Sequence, residues 1–259
     1  MSSELDSQTR RLGAWTRFRT WLIYGLGVPV LNVLDKLVAR ASLVGNPIIF
    51  ENRTFPWAEE LESQWTTIQS ELRALLQQRV EVPAIQEIAH DLTHLSTDDG
   101  WKSFVFFVFG NRSELNCGKC PRTTRCLEQI PGLTSAIFSF LAAGKNIPHH
   151  RGEYKGLIRG HLGLIVPTDR EKCRMNVSGE VVCWEQGKLV LFDNSYHHEV
   201  WNDTPETRVI LMFDIVRPLR RPWSWLNRLV IYLIGKSPYV RSALKNQREW
   251  DARQVSPAP

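Results

Sequence analysis

Five of the chain's seven histidines, His149, His150, His161, His197 and His198, fall between residues 147 and 208, with Arg159 and Arg208 standing among apolar residues in the same stretch. Neutral imidazole is the commonest protein ligand for iron, zinc, copper and nickel, and non-haem iron oxygenases hold Fe(II) with two histidines and a carboxylate. His150 and His198 are the candidate metal ligands. Two histidines so far apart also fit a plainer reading, polar residues at strand ends. His149 and His197 adjoin the candidates, and because side chains alternate faces along a strand, only one member of each doublet should face a metal. Arg208 ends an apolar strand, where a planar guanidinium suits two-point grip of a buried carboxylate.

The elements that position these residues read as strands. Residues 154–167 are rich in β-branched and aliphatic side chains with no helix-period stripe, which places Arg159 and His161 on one face and Ile158 on the other. Residues 188–193, 197–201 and 207–214 read the same way. Turn signals separate them: Asn176-Val177-Ser178-Gly179, Gln186-Gly187, Asp193-Asn194-Ser195 and Asn202-Asp203-Thr204-Pro205. Short strands broken at such spacing predict a mainly β chain with flanking helices, folded as a cupin-like jelly roll, or double-stranded β-helix.

Several motifs follow one another in order: His150-Arg151-Gly152, Ile158-Arg159-Gly160-His161-Leu162-Gly163-Leu164, Trp184-Glu185-Gln186-Gly187, the run Phe192-Asp193-Asn194-Ser195-Tyr196-His197-His198-Glu199-Val200-Trp201, and Arg208. In this the chain resembles, over roughly residues 90–218, the aspartyl/asparaginyl β-hydroxylase family of oxygenases, which use Fe(II), 2-oxoglutarate and O2. The resemblance implies that His150 and His198 bind the catalytic iron, that Arg159, His161 and Arg208 hold the carboxylates of 2-oxoglutarate, and that Ser139 and Trp101 line the same pocket. It also implies hydroxylation of an unactivated C–H bond with release of succinate and CO2. Most 2-oxoglutarate oxygenases have Asp or Glu two residues after the first histidine, whereas this chain has Gly152. A glycine there leaves an open coordination position for water, or for halide as in related halogenases. Glu153 is the nearest carboxylate, at the wrong spacing for a triad.

The substrate divides two ways. Gly152 points to the branch that hydroxylates Asp or Asn side chains of peptides. The flanking helices, the basic tail and Asn52-Arg53-Thr54-Phe55-Pro56 point to the branch that adds a 2-hydroxyl to acyl chains of lipid A or ornithine lipids. A non-enzymatic cupin-like binding module is a reading of another class; it would keep the barrel but need neither Arg208 nor two aligned histidines.

A length of 259 residues suffices for one jelly roll with helical additions, and 43% hydrophobic with 23% charged residues marks a globular chain without repeats. Residues 46–218 are expected to form the jelly-roll domain, 1–45 an N-terminal apolar and helical segment, and 219–259 a basic amphipathic helix and tail. The net charge of +5 fits an anionic membrane surface, and with no recognisable motif among the basic residues no nucleic acid is expected. The apolar run at 21–31 is shorter than the roughly 20 residues a bilayer needs, and no small-residue cleavage site marks a signal peptide, so the expected location is cytoplasmic with peripheral membrane contact as an option.

Residues 57–79 carry Leu61, Trp65, Ile68, Leu72, Leu75 and Leu76 at helical spacing, a face to pack on the barrel. Near the end of the chain Trp223, Leu226, Leu229, Val230 and Leu233 form a stripe with Asn227 and Arg228 opposite, among many basic residues. That pattern fits an interfacial membrane anchor, or equally a helix packed on residues 21–38. Cys117, Cys120 and Cys126 lack the partners of a zinc site and read as free thiols, with a disulfide between two of them as the alternative.

Overall fold

Leucine-, valine- and phenylalanine-rich runs separated by Gly and Asn turns become eleven strands among the described residues of a computed structural model, which are residues 28–255 apart from Glu153. Most of the apolar run at 21–31 and the carboxylate of Glu153 therefore lie outside the described residues. In chain order the strands are β1 (Ile49–Phe50), β2 (Trp101–Val108), β3 (Asn111–Arg112), β4 (Leu133–Leu141), β5 (Asn146–His150) and β6 (Leu157–Ile165). After them come β7 (Cys173–Val177), β8 (Glu180–Cys183), β9 (Leu189–Phe192), β10 (His198–Asn202) and β11 (Arg208–Val216). Seven form one sheet in the order β1-β9-β6-β11-β4-β2-β3, and four form another in the order β5-β10-β7-β8. All pairings between these strands are antiparallel. The expected jelly roll is thus the observed one.

The helices are α1 (Val28–Ala41), α2 (Ala58–Ser63), α3 (Trp65–Gln77), α4 (Ile85–Ile88), α5 (Glu114–Lys119), α6 (Pro121–Glu128), α7 (Trp223–Gly235) and α8 (Pro238–Val255). The single helix expected over 57–79 is two, α2 and α3, joined at Gln64. Ile68, Leu72 and Leu75 pack inward as the spacing predicts, but Leu76 is exposed at the end of the stripe.

The large sheet is buried on both faces. Phe104, Phe106, Phe138, Ile158, Leu162, Leu211 and Phe213 pack outward against Ile68, Leu72, Leu75 and Leu127 of the helical layer. On the other face Trp101, Leu141 and Ile210 meet Ile147, Met175, Val177 and Val200 of the small sheet, with Trp184 and Phe192 between. Period-two alternation therefore sends Ile158 and Leu162 into the helical layer and Arg159 and His161 between the sheets. The same alternation along β11 sends Arg208, Ile210 and Met212 inward.

All five cysteines are free. Burial pushes the thiols of Cys117, Cys120 and Cys126 up, that of Cys120 to about 12, so all three stay protonated at neutral pH.

Strand β6, which carries Arg159 and His161, is held from the side by the turn that follows Trp184. Gly163 N donates to Lys188 O at 3.1 Å, and Gly163 O accepts from Gly187 N at 2.8 Å. This close approach needs a glycine: a Cβ on Gly163 would lie 2.2 Å from the backbone oxygen of Glu185. Gly163→Ala should therefore cost about 1–3 kcal/mol, as overpacking typically does, read as a lower urea midpoint with an unchanged slope.

Candidate active site

Strands β5 and β10 pair in a register that sets His198 directly opposite His150, so two histidines far apart in the chain become cross-strand neighbours. Their ring centroids lie 4.1 Å apart. His150 Nδ1 donates to Pro148 O at 2.8 Å and His198 Nδ1 to Tyr196 O at 3.0 Å. A neutral ring that donates from Nδ1 keeps a lone pair on Nε2, the form a metal ligand needs. Burial, joined by the neighbouring imidazole, pushes His198 down to about 3, and burial also lowers His150, so both rings are neutral at pH 7. The doublets resolve as strand alternation demands. His149 and His197 are exposed and stack on each other at 4.5 Å with rings 5° from parallel, while His150 and His198 line the inner cavity.

That cavity gathers all seven residues expected to bind metal or cosubstrate: Trp101, Ser139, His150, Arg159, His161, His198 and Arg208. Ile147, Val200, Ile210 and Met212 complete its walls and make it largely apolar. Trp101 Nε1 donates to Ser139 Oγ at 3.0 Å across the adjacent strands β2 and β4, which fixes the indole against the sheet.

The charged groups behave differently from one another. Arg159 gives Nε and Nη2 to the two oxygens of Asp214, both at 2.8 Å, so the guanidinium expected to grip 2-oxoglutarate already has a carboxylate. Asp214 stands opposite Arg159 in the β11–β6 register. Burial works against the charge on Arg159, but Asp214 more than offsets it and holds the guanidinium above its ordinary pKa. Arg208 has no such partner. It is 2% exposed, lies 4.7 Å above the ring of Trp184, and makes no ion pair or hydrogen bond with the described residues. Burial lowers its pKa to about 10, which still leaves it charged. Both ring nitrogens of buried His161 also lack a partner, and burial together with Arg208 and Arg159 keeps that ring neutral.

These features bear on whether iron and 2-oxoglutarate fit. Two neutral imidazoles with free Nε2 atoms suit Fe(II), and among the described residues no group of three or more His, Cys, Asp or Glu could hold a metal. The remaining coordination positions would fall to ligands from outside the protein. An unpaired buried guanidinium beside an unsatisfied imidazole suits an anionic carboxylate. The site fits the pair: Arg208 and His161 could anchor the acid, while Arg159 is bound to Asp214.

Gly152 does not line the cavity. Its N donates to Asn194 O at 2.7 Å, and a Cβ on it would lie 2.0 Å from Asn194 Nδ2. A side chain at 152 would run into Asn194, so the close packing of these two segments calls for glycine there.

Residues 62–218 match the model of the family described as aspartyl/asparaginyl beta-hydroxylase, a span that contains every candidate site residue. The chain is 40% identical over 219 residues to the ornithine lipid ester-linked acyl 2-hydroxylase of Rhizobium tropici, covering 85% of this chain and 78% of that protein. This chain belongs to the aspartyl/asparaginyl β-hydroxylase family. It is also 29% identical over 169 residues to human aspartyl/asparaginyl beta-hydroxylase, covering 63% of this chain and 21% of that much longer protein. Among solved structures a Pseudomonas putida prolyl-4-hydroxylase overlays with a TM-score of 0.37 at 17% identity, covering 60% of this chain and 88% of that one. Family membership makes the chain a hydroxylase-type enzyme.

In this family member the segment Asp193-Asn194-Ser195, read in the sequence as a turn and as part of the motif run but given no role, anchors the approach to His198. Asp193 Oδ2 accepts from Arg217 Nη2 at 2.6 Å and from Lys155 Nζ, while Oδ1 accepts from Ser195 Oγ at 2.6 Å and Ser195 N at 3.1 Å. Asp193 and Arg217 are both fully buried. Arg217 also reaches Gly45 O at 3.2 Å, which ties the β11 end to the start of β1. Sequence reasoning missed this pair because Arg217 lies beyond the strand motif.

Burial alone would raise the Asp193 carboxyl, but Arg217 and Lys155 hold it below the ordinary carboxylate range. A depressed folded-state value stabilises above the unfolded value of about 4 and loses that stability as pH falls through the folded value. Asp193→Asn should cost about 3–5 kcal/mol at pH 7 by leaving Arg217 buried and unpaired. Denaturation midpoints measured from pH 7 to pH 3 should show the gap between wild type and variant narrowing below about pH 4.

Proposed function

We propose that this hydroxylase uses Fe(II) and 2-oxoglutarate and acts on the acyl chain of a lipid. The observation that carries the cosubstrate reading is Arg208, a buried cation without a carboxylate in a cavity whose opposite wall is a pair of neutral imidazoles. Iron and 2-oxoglutarate, when bound, would supply the oxidation: O2 and 2-oxoglutarate yield succinate and CO2 while one oxygen atom enters a substrate C–H bond.

The protein's own residues contribute position and dryness. The backbone carbonyls of Pro148 and Tyr196 fix the tautomers of His150 and His198 so that both present Nε2. Arg208 would hold one carboxylate of the acid by its fork, with Trp184 stacked beneath to prevent it from swinging away. His161 offers one N–H donor and one acceptor, as its tautomer allows, beside it. Ile147, Val200, Ile210 and Met212 exclude water from the cavity, which keeps the oxidising step from being spent on solvent.

The acyl chain is favoured by the extent of the match to the Rhizobium tropici lipid enzyme, 40% identity over most of both chains. An Asp or Asn side chain of a peptide is the second reading, favoured by the family's own description and the human relative. The family's description and the lipid relative favour hydroxylation over halogenation. A binding module without catalysis would need neither Arg208 nor the aligned histidines, and both are in place.

Two measurements test this. Under anaerobic conditions with Fe(II), saturating 2-oxoglutarate should raise the thermal midpoint of the wild type by the equivalent of about 2–3 kcal/mol at a hundredfold excess over its dissociation constant. Arg208→Met should abolish the shift while remaining folded; an unchanged shift in that variant would remove Arg208 from the cosubstrate site. Mass spectrometry of lipids and peptides from cells making wild type or His150→Ala should find species with one added oxygen only with the wild type. Oxygen on lipid supports the acyl reading, and oxygen on Asp or Asn with lipids unchanged supports the second.

A further inference from the structure

Helix α7 is apolar on two sides. Asn227 and Ile231 are buried, and Val230 and Ile234 pack with them against Val38, Ala41 and Tyr154. The expected stripe is thus divided: Asn227, placed opposite it by the sequence reading, turns inward because its Nδ2 donates to Gly156 O at 3.0 Å. The outward side holds Trp225 at 63% exposure, Leu229 at 53%, Tyr232 at 60% and Leu233 at 58%. Positions 225, 229, 232 and 233 recur at three- and four-residue spacing, so they form one continuous face. A monomeric soluble surface rarely groups large apolar side chains in this way.

The charge around this face has one sign. Between residues 215 and 248 there is no Asp or Glu, whereas Arg220, Arg221, Arg228, Lys236, Arg241, Lys245 and Arg248 are all exposed. Arg221 lies 5.5 Å over the Trp225 ring and Lys236 5.4 Å over the Tyr232 ring, so cations border the aromatic side chains directly. A second copy of the chain docked through this face would bring the same cations against themselves. Leucines flanked by Trp, Tyr and a basic rim match instead the boundary between acyl chains and anionic head groups, where aromatic rings and long basic side chains both settle.

We propose that the outward face of α7, centred on Trp225, Leu229, Tyr232 and Leu233 and rimmed by Arg221, Arg228 and Lys236, docks the protein on an anionic lipid bilayer. The docking face is coupled to the active site. Asn227 of α7 donates to Gly156 O and Ile231 of α7 packs in one cluster with Tyr154, and Asp35 of α1 accepts from Lys155 N at 2.9 Å and from Arg151 Nη2 at 3.3 Å. Both terminal helices thus grip the segment that leaves His150, and docking fixes that segment relative to the bilayer. The surface argument goes beyond the proposed reaction and needs no catalysis.

Sedimentation of the full chain with vesicles tests it directly. Vesicles of phosphatidylcholine with phosphatidylglycerol should pellet the wild type, and pure phosphatidylcholine should do so far less. The combined variant Trp225→Ser, Leu229→Ser, Tyr232→Ser, Leu233→Ser should lose at least tenfold in partitioning while still unfolding in one cooperative transition, because each of these side chains is more than half exposed. Arg228→Ser with Lys236→Ser should weaken binding to the anionic vesicles about fivefold per cation removed, a loss that added salt diminishes.

Absence of binding to either vesicle, or equal binding by the combined apolar variant, would overturn the proposal; the second result would assign any membrane contact to another segment, such as residues 1–27. A concentration-dependent dimer lost in the apolar variant, without vesicle binding, would make the face an interface between copies and overturn it too. Lipid hydroxylation without vesicle binding would sink docking alone, and peptide hydroxylation with vesicle binding intact would sink the acyl reading alone.

Discussion

A sheet covered on both faces gives its polar side chains few options, and the arrangement of this site follows from that restriction. Water is excluded from both faces of β4, β6 and β11, by helices on one side and by the small sheet on the other. A side chain that points between the sheets must be neutral, paired or completed by a ligand. His161 and His198 take the first course, since burial holds both rings unprotonated. Arg159 takes the second through Asp214. Arg208 is left for the third, a charge that the fold leaves without a counterion and that the proposed cosubstrate would complete.

The loops around the histidines depend on a second set of constraints. His150 ends its strand and His198 begins its own, so pairing of β5 with β10 fixes the backbone but not what leaves or arrives. The segment leaving His150 is held by Asp35, Asn227 and the contact of Gly152 with Asn194. The segment arriving at His198 is held by Asp193 against Arg217 and Lys155. Helices outside the barrel thereby act on the positions of both histidines. A metal site built from only these two side chains, as proposed, would have less geometry of its own than a three-ligand site, which would make this external bracing more consequential.

How much of this could be read in the sequence differs by kind of feature. Alternation along one strand was fully legible: period two alone set Arg159 and His161 opposite Ile158 and allowed only one histidine of each doublet to face inward, while the motif resemblance picked His150 and His198. The jelly-roll class followed from short strands separated by turn residues. What could not be read were partners set by register between strands distant in the chain. Asp214 shares a face with Arg208 by counting, yet nothing in the sequence states that β11 lies beside β6 with residue 214 opposite 159. The fit of Asn194 against Gly152 and the burial of Asn227 are of the same type, since each depends on where two loops or a loop and a helix meet. A break such as that between α2 and α3 carries no Pro or Gly at Gln64 and leaves the apolar spacing intact, so periodicity passes over it.

Two features of this chain oppose its own stability. A buried guanidinium without a counterion costs several kcal/mol, and each 100 Å² of apolar surface left in water forgoes roughly 2.5 kcal/mol of burial. Folding alone would favour an apolar residue at 208 and polar ones at 225, 229, 232 and 233. Local departures from the rules that stabilise a fold concentrate at functional positions, where something outside the chain supplies the missing interaction. Arg208 calls for a small anion and α7 for an amphiphilic surface, and the segment from Arg151 to Gly156 is bound to α7 at one end and begins beside His150 at the other. A hydroxylase that acts on part of a membrane lipid would satisfy both deficits at once, whereas one acting on a soluble peptide would satisfy only the first.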